Sequence, residues 1–170
     1  MIDRRHFLAG GAAAALVAAL IPFWRREGAA VAAGAAGDFE ITRTEAEWRE
    51  LLTPDQFAVL REHDTERPFS SPLLKESRPG TYNCAGCDLE LYDASTKFDS
   101  RTGWPSFWAE IPGNIGMRED NTLFMTRTEV HCARCGGHQG HVFDDGPPPT
   151  GLRHCINGVA LRFRPAAEAT

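Results

Sequence analysis

Apolar and polar positions divide the chain into three stretches of different texture. Phe7 to Phe23 is an apolar run built mainly from Ala, Gly, Leu and Val, with no charge before Arg25. Helical signals come next. Thr44-Glu45-Ala46-Glu47 is a capping box and predicts a short helix through about Leu52. Thr53 as N-cap, with Pro54 at the first helical position, starts a second helix whose apolar residues are Phe57, Val59 and Leu60. Beyond Arg67-Pro68 the helical spacing stops. Short segments follow, separated by Gly, Pro, Asn and Asp: Asp88 to Tyr92, Thr122 to Val130 and Val159 to Phe163. In the last, Val159, Leu161 and Phe163 alternate with Ala160, Arg162 and Arg164, the period of a half-buried strand. Two small helices ahead of many short strands predict a mainly β, antiparallel domain with an N-terminal helical cover.

Composition narrows this to one globular domain: 170 residues, 42% apolar and 24% charged. The four Arg and two acids of residues 1–37 leave 14 basic and 21 acidic residues beyond them, a net charge of −7. An acidic body argues against a nucleic-acid partner. Residues 1–37 read as an export address, and residues 38–170 as the working domain. Arg4-Arg5-His6-Phe7-Leu8 precedes the apolar run, and Ala29 to Ala35 offers small-residue cleavage sites. The paired arginines resemble the twin-arginine motif of proteins exported folded, which predicts the periplasm or cell envelope. An uncleaved membrane anchor is the alternative, although the run falls short of the ~20 residues a span needs.

Five cysteines cannot all pair with one another. Cys84-Ala85-Gly86-Cys87 and Cys132-Ala133-Arg134-Cys135 are two turns of the kind that present paired thiolates to a tetrahedral zinc ion. Four thiolates would close the coordination shell, making such a zinc structural. Disulfides within or between the pairs remain open, since an exported protein meets an oxidising compartment. Cys155 stands alone beside Arg153, a cation expected to favour its thiolate. His138 and His141, flanked by glycines, suit a turn or short strand and supply candidate proton donors. Trp104, Phe107 and Trp108 crowd three rings into Gly103–Trp108, a pattern of core or pocket.

Taken together, these segments resemble the B-type methionine-R-sulfoxide reductases. The resemblance runs from about Leu51 to Pro165 through Thr65-Glu66-Arg67, Tyr82-Asn83-Cys84, Lys97 to Ser100 and Gly103 to Phe107. It continues through Arg127 to Val130, His138 to Phe143, Asp145-Gly146-Pro147 and Arg153 to Gly158. It implies two antiparallel sheets in a sandwich, with a zinc held by Cys84, Cys87, Cys132 and Cys135 away from the catalytic centre. It further implies Cys155 as the nucleophile, with His138, His141, Arg153 and Asn157 beside it. Trp104, Phe107 and Phe143 would then bind the substrate. The implied partners are oxidised proteins carrying methionine-R-sulfoxide and an external thiol donor, and nothing demands more than a monomer.

Two positions depart from the family pattern. Thr102 stands where many relatives carry a resolving Cys, so no thiol outside the zinc set remains to pair with Cys155. His154 stands where relatives usually carry an aromatic hydroxyl; it would either add positive potential near Cys155 or point away. Two other classes compete: a non-catalytic zinc module binding through Trp104–Trp108, and a Cys/His hydrolase or acyl transferase built on Cys155 and His141. The second lacks a clear oxyanion-hole motif.

Overall fold

The computed structural model describes residues 39–122 and 125–167; the export segment expected over residues 1–37 lies outside them. Among the described residues, no helix is long and apolar enough to cross a membrane. Both helices form where expected, α1 at Glu45–Leu51 and α2 at Pro54–Glu62, and the structure closes a capping box on each. Thr44 and Thr53 accept the amides of Glu47 and Gln56, and both side chains reach back to the cap. Each such cap contributes about 1 kcal/mol. Trp48 and Leu52 from the first helical segment and Phe57, Val59 and Leu60 from the second enter the core.

Nine strands follow. β1 (Gly80–Cys84), β2 (Glu90–Asp93) and β9 (Leu161–Pro165) make a three-stranded sheet in the order β2-β1-β9. β3 (Lys97–Phe98), β4 (Ser106–Phe107), β5 (Ile115–Asp120), β6 (Arg127–Cys132), β7 (His138–Phe143) and β8 (Arg153–Ile156) make the other. Its order is β3-β4-β8-β7-β6-β5, and every strand pairing in both sheets is antiparallel. The sheets meet through three rings. Phe107 of the larger sheet stacks on Tyr92 at 4.2 Å and meets Tyr82 edge-on at 4.9 Å, and all three are fully buried. Removing one such ring costs about 3–5 kcal/mol.

Strand boundaries differ from the sequence reading where a side chain captures the backbone. The alternation from Val159 to Phe163 predicts one strand, but Gly158–Ala160 forms a 3₁₀ turn ahead of β9. Its amides at Gly158 and Val159 donate to the Glu66 carboxylate at 2.6 and 3.0 Å, which holds them out of the sheet. Thr122 to Val130 likewise joins part of a connection to a strand: β5 ends at Asp120, and β6 starts at Arg127.

The segment from Thr65 to Ser71 has no helix or strand and is tied to Asn157, Trp104 and Gly103 by hydrogen bonds. Within it, Phe69 takes φ = 64°, a left-handed conformation costing a side-chain-bearing residue about 1–2 kcal/mol. Its amide donates to the Gly103 carbonyl at 2.7 Å, yet its side chain is 70% exposed.

Candidate active site and metal cluster

The two Cys-x-x-Cys segments fold as matching turns. In each, the amide four residues after the first Cys returns to that Cys carbonyl, from Asp88 to Cys84 at 2.8 Å and from Gly136 to Cys132 at 2.9 Å. Both residues are left-handed, and a side chain at Gly136 would run into the Phe39 ring. The turns bring four sulfurs within 4.8 Å of one another, with Cys84–Cys135 at 3.7 Å and Cys87–Cys132 at 3.5 Å. These separations exclude disulfides, whose sulfurs lie about 2.05 Å apart. They match the roughly 3.8 Å between sulfurs bonded to one tetrahedral ion at about 2.3 Å. Hydrogen bonds from neighbouring sulfurs, Cys132 first, push the Cys84 and Cys135 thiols up, so the set needs a cation to ionise fully. The residues present therefore fit a structural metal site.

Cys155 lies at the centre of the larger sheet, opposite Ser106 on β4 and His141 on β7. Opposed residues share a face. A cavity of about 140 Å³ opens there, and Cys155, Trp104, His141, Phe143 and Asn157 line it together with Thr65, Arg127 and Gly140. Gly140 is required by close approach, because a Cβ there would overlap the Cys155 carbonyl oxygen. The three-residue spacing of His138 and His141 would put them on opposite faces of a regular strand. A bulge breaks that rule: the β6–β7 register shifts between Val130 and His131, so Gln139 has no opposite. The two imidazoles consequently lie edge-on at 5.4 Å.

Carboxylates hold both rings. His141 Nε2 meets Asp120 Oδ2 at 2.7 Å, and the Arg127 guanidinium donates to the same oxygen at 2.7 Å. His138 Nδ1 meets the buried Glu129 carboxylate at 2.7 Å, where His63 Nδ1 also approaches at 3.3 Å. Burial alone would raise Glu129, but hydrogen bonds from His138, His63 and Arg118 hold it well below the usual carboxylate range. His63, Glu129 and His138 resemble a second ligand set. Arg118 already neutralises that carboxylate, so the cluster is balanced as ion pairs.

Burial decides the resting charge of the nucleophile. It pushes the Cys155 thiol up, and the Arg153 guanidinium only partly offsets this. Burial also lowers His141, against the pull of Asp120. Arg153 thus favours the thiolate, as its place beside Cys155 led one to expect, but burial outweighs it and the net shift of the thiol is upward. Alkylation of Cys155 by iodoacetamide should therefore rise with pH, with a midpoint above that of a free thiol. Arg153→Met, which keeps the stem but loses the attraction, should move that midpoint up again and slow alkylation several-fold at fixed pH. A downward move would contradict this electrostatic account.

The remaining expected residues take distinct places. Arg153 binds Asp145 through two contacts, at 2.8 and 2.9 Å, and caps the Phe143 ring at 4.4 Å. His138 stands behind His141, outside the cavity lining. Asn157 uses both ends of its amide on the backbone, accepting from Glu66 N–H at 3.1 Å and donating to Gln139 O at 3.0 Å. Phe107, expected at the substrate, lies instead in the core on Tyr92, because successive strand residues face opposite ways. His154 points away from Cys155 for the same reason and bonds Tyr92 Oη at 3.2 Å. Asp120, Glu129 and Arg127 carried no assigned role in the sequence, where charges on short strands read as solvent-facing.

The SelR domain matches residues 52–165, about two thirds of the chain. The chain belongs to that family. Curated relatives named peptide methionine sulfoxide reductase MsrB agree. The one from Agrobacterium fabrum is 52% identical over 127 residues, 74% of this chain and 94% of its own length. The one from Pseudomonas putida (strain W619) is 54% identical over 127 residues, 74% and 96%. The one from Methanosarcina barkeri is 50% identical over 129 residues, 75% and 91%. Each match spans nearly the whole relative, so this SelR-family chain carries a full-length domain.

Proposed function

We propose that the protein reduces methionine-R-sulfoxide in polypeptides to methionine, with Cys155 as the nucleophile. The observation that carries this reading is Cys155 in a cavity of side-chain size, walled by Trp104 and Phe143 and flanked by His141. Trp104 offers an apolar face to the S-methyl group, and its indole N–H is engaged by the Glu66 carbonyl at 3.1 Å. Cys155 attacks the electrophilic sulfur. The bond formed between the two sulfurs then gives way together with the S–O bond as oxygen passes to Cys155, leaving a sulfenic acid there and methionine with the electron pair that Cys155 donated. A thiolate attack takes up one proton, which the protonated thiol itself or the His141–Asp120 pair supplies. Two external thiols then restore Cys155, releasing water and their own disulfide.

An external donor is the reading because the other four cysteines are gathered in the metal cluster. Thr102 Oγ1 lies 3.9 Å from Cys155 Sγ. Thr102→Cys should therefore introduce an intramolecular bridge to Cys155 after one turnover, seen by mass spectrometry as a loss of two hydrogens. The unaltered protein should show none. A bridge from Cys155 in the unaltered protein would overturn the external-donor reading.

Zinc is the ion this reading places on Cys84, Cys87, Cys132 and Cys135; it supplies structural cross-linking and takes no part in the reaction. Arg4-Arg5-His6-Phe7-Leu8 and the apolar run support export by the twin-arginine route, with the reductase acting in the cell envelope. The deciding assay offers both sulfoxide epimers of one peptide with a dithiol. Turnover of the R epimer alone supports the reading. No turnover supports a binding module, and ester hydrolysis without sulfoxide reduction supports a Cys/His hydrolase.

A further inference from the structure

We propose that the surface beside the catalytic cavity, centred on Phe69, binds the polypeptide flanking an oxidised methionine and favours apolar neighbours. The proposal rests on the sulfoxide-reductase reading and adds the part of the substrate that the cavity cannot hold. At about 140 Å³ the cavity has the volume of roughly five waters, enough for one side chain and no more. The chain carrying that side chain must cross the adjoining surface.

A second cavity of about 760 Å³ adjoins the first, and Trp104 lines both. Trp104 is the wall on which the sulfoxide side chain rests, so the larger groove begins where the substrate chain leaves the cavity. Phe69, Phe98, Leu74 and Pro72 join Trp104 as an apolar strip within it, and Ser70, Ser71 and the exposed Lys75 and Asp99 also line it. The nearby Lys97 ammonium is engaged by the Leu74 and Glu76 carbonyls at 2.9 and 3.1 Å, so it is not a free charge in the groove.

Phe69 itself is the strongest indication. A bulky residue in the left-handed region is a strained choice, and here no burial of its own ring compensates. The backbone is nonetheless fixed on both sides. Phe69 N–H donates to Gly103 O at 2.7 Å, and Ser70 Oγ and N–H both donate to Arg67 O, at 2.6 and 3.3 Å. The fold thus fixes the backbone that presents an exposed aromatic side chain along the groove Trp104 lines, which lowers the ordering cost of binding a chain there.

Two ten-residue peptides test this, each with one methionine-R-sulfoxide, flanked by Leu and Phe in one and by Gly and Ser in the other. N-acetylmethionine-R-sulfoxide serves as the small substrate. The unaltered protein should favour the apolar peptide by about tenfold in kcat/KM, equivalent to about 1.4 kcal/mol. Phe69→Ala should erase that preference through KM and leave the small substrate within twofold. Phe69→Leu, which keeps an apolar side chain, should retain part of it. An unchanged preference in Phe69→Ala overturns the proposal. So does an equal loss on all three substrates, which would mean a distorted cavity, or a defect confined to the thiol donor's KM, which would assign the groove to the reductant. If the unaltered protein reduces none of the three sulfoxides, the underlying reading fails, and the groove proposal falls with it.

Discussion

Cys155→Ser is expected to abolish sulfoxide reduction, by at least about 10³-fold in kcat/KM, while leaving the melting temperature within a few degrees. A serine oxygen cannot accept the sulfoxide oxygen to give a sulfenic acid, so no partial reaction survives. The substitution is nearly isosteric, and the Cys155 backbone remains paired with β4 and β7. Loss of activity without loss of fold separates chemistry from stability. Activity retained above a tenth of the original would show that the oxygen is taken elsewhere and would remove the central residue of the proposed mechanism.

Loss of one metal ligand should act in the opposite way, on the fold first. Cys135 is 2% exposed, and its turn joins β6 to β7, while the partner turn joins β1 to β2 in the other sheet. A metal held there would therefore tie the two sheets together. Cys135→Ser should destabilise by about 4 kcal/mol, the scale of a lost metal site in a domain that also has its own core. At roughly 4 °C per kcal/mol for a domain of this size, the melting midpoint should fall by about 15 °C. A strong chelator should reproduce the fall in the unaltered protein and not add to it in the variant. A fall of under 3 °C would mean that the cluster carries no structural ion.

Local rules were legible where one short segment decides the outcome. A capping box located the first helix and a Thr-Pro start the second, and two Cys-x-x-Cys turns located the sulfur cluster. Cys155, Trp104, His141, Phe143 and Asn157, which the resemblance had grouped, line one cavity. What escaped depends on partners distant in sequence. His138 and His141 share a face only because of a bulge set by β6 pairing. Phe107 left the substrate list because the alternation of a two-residue strand turns it toward Tyr92. The upward shift of the Cys155 thiol follows burial, which neighbouring cations in the sequence do not reveal.

Glu66 carries a consequence beyond its own segment. Its carbonyl holds the Trp104 indole, its amide binds Asn157, and its carboxylate fixes the turn after Asn157. One residue from the irregular stretch before β1 thus fastens two walls of a cavity that the nine strands only floor. The smallest unit able to perform repair is accordingly larger than its β scaffold. A version beginning after Arg67 would keep every strand and yet lack the fastening that shapes the cavity for its guest.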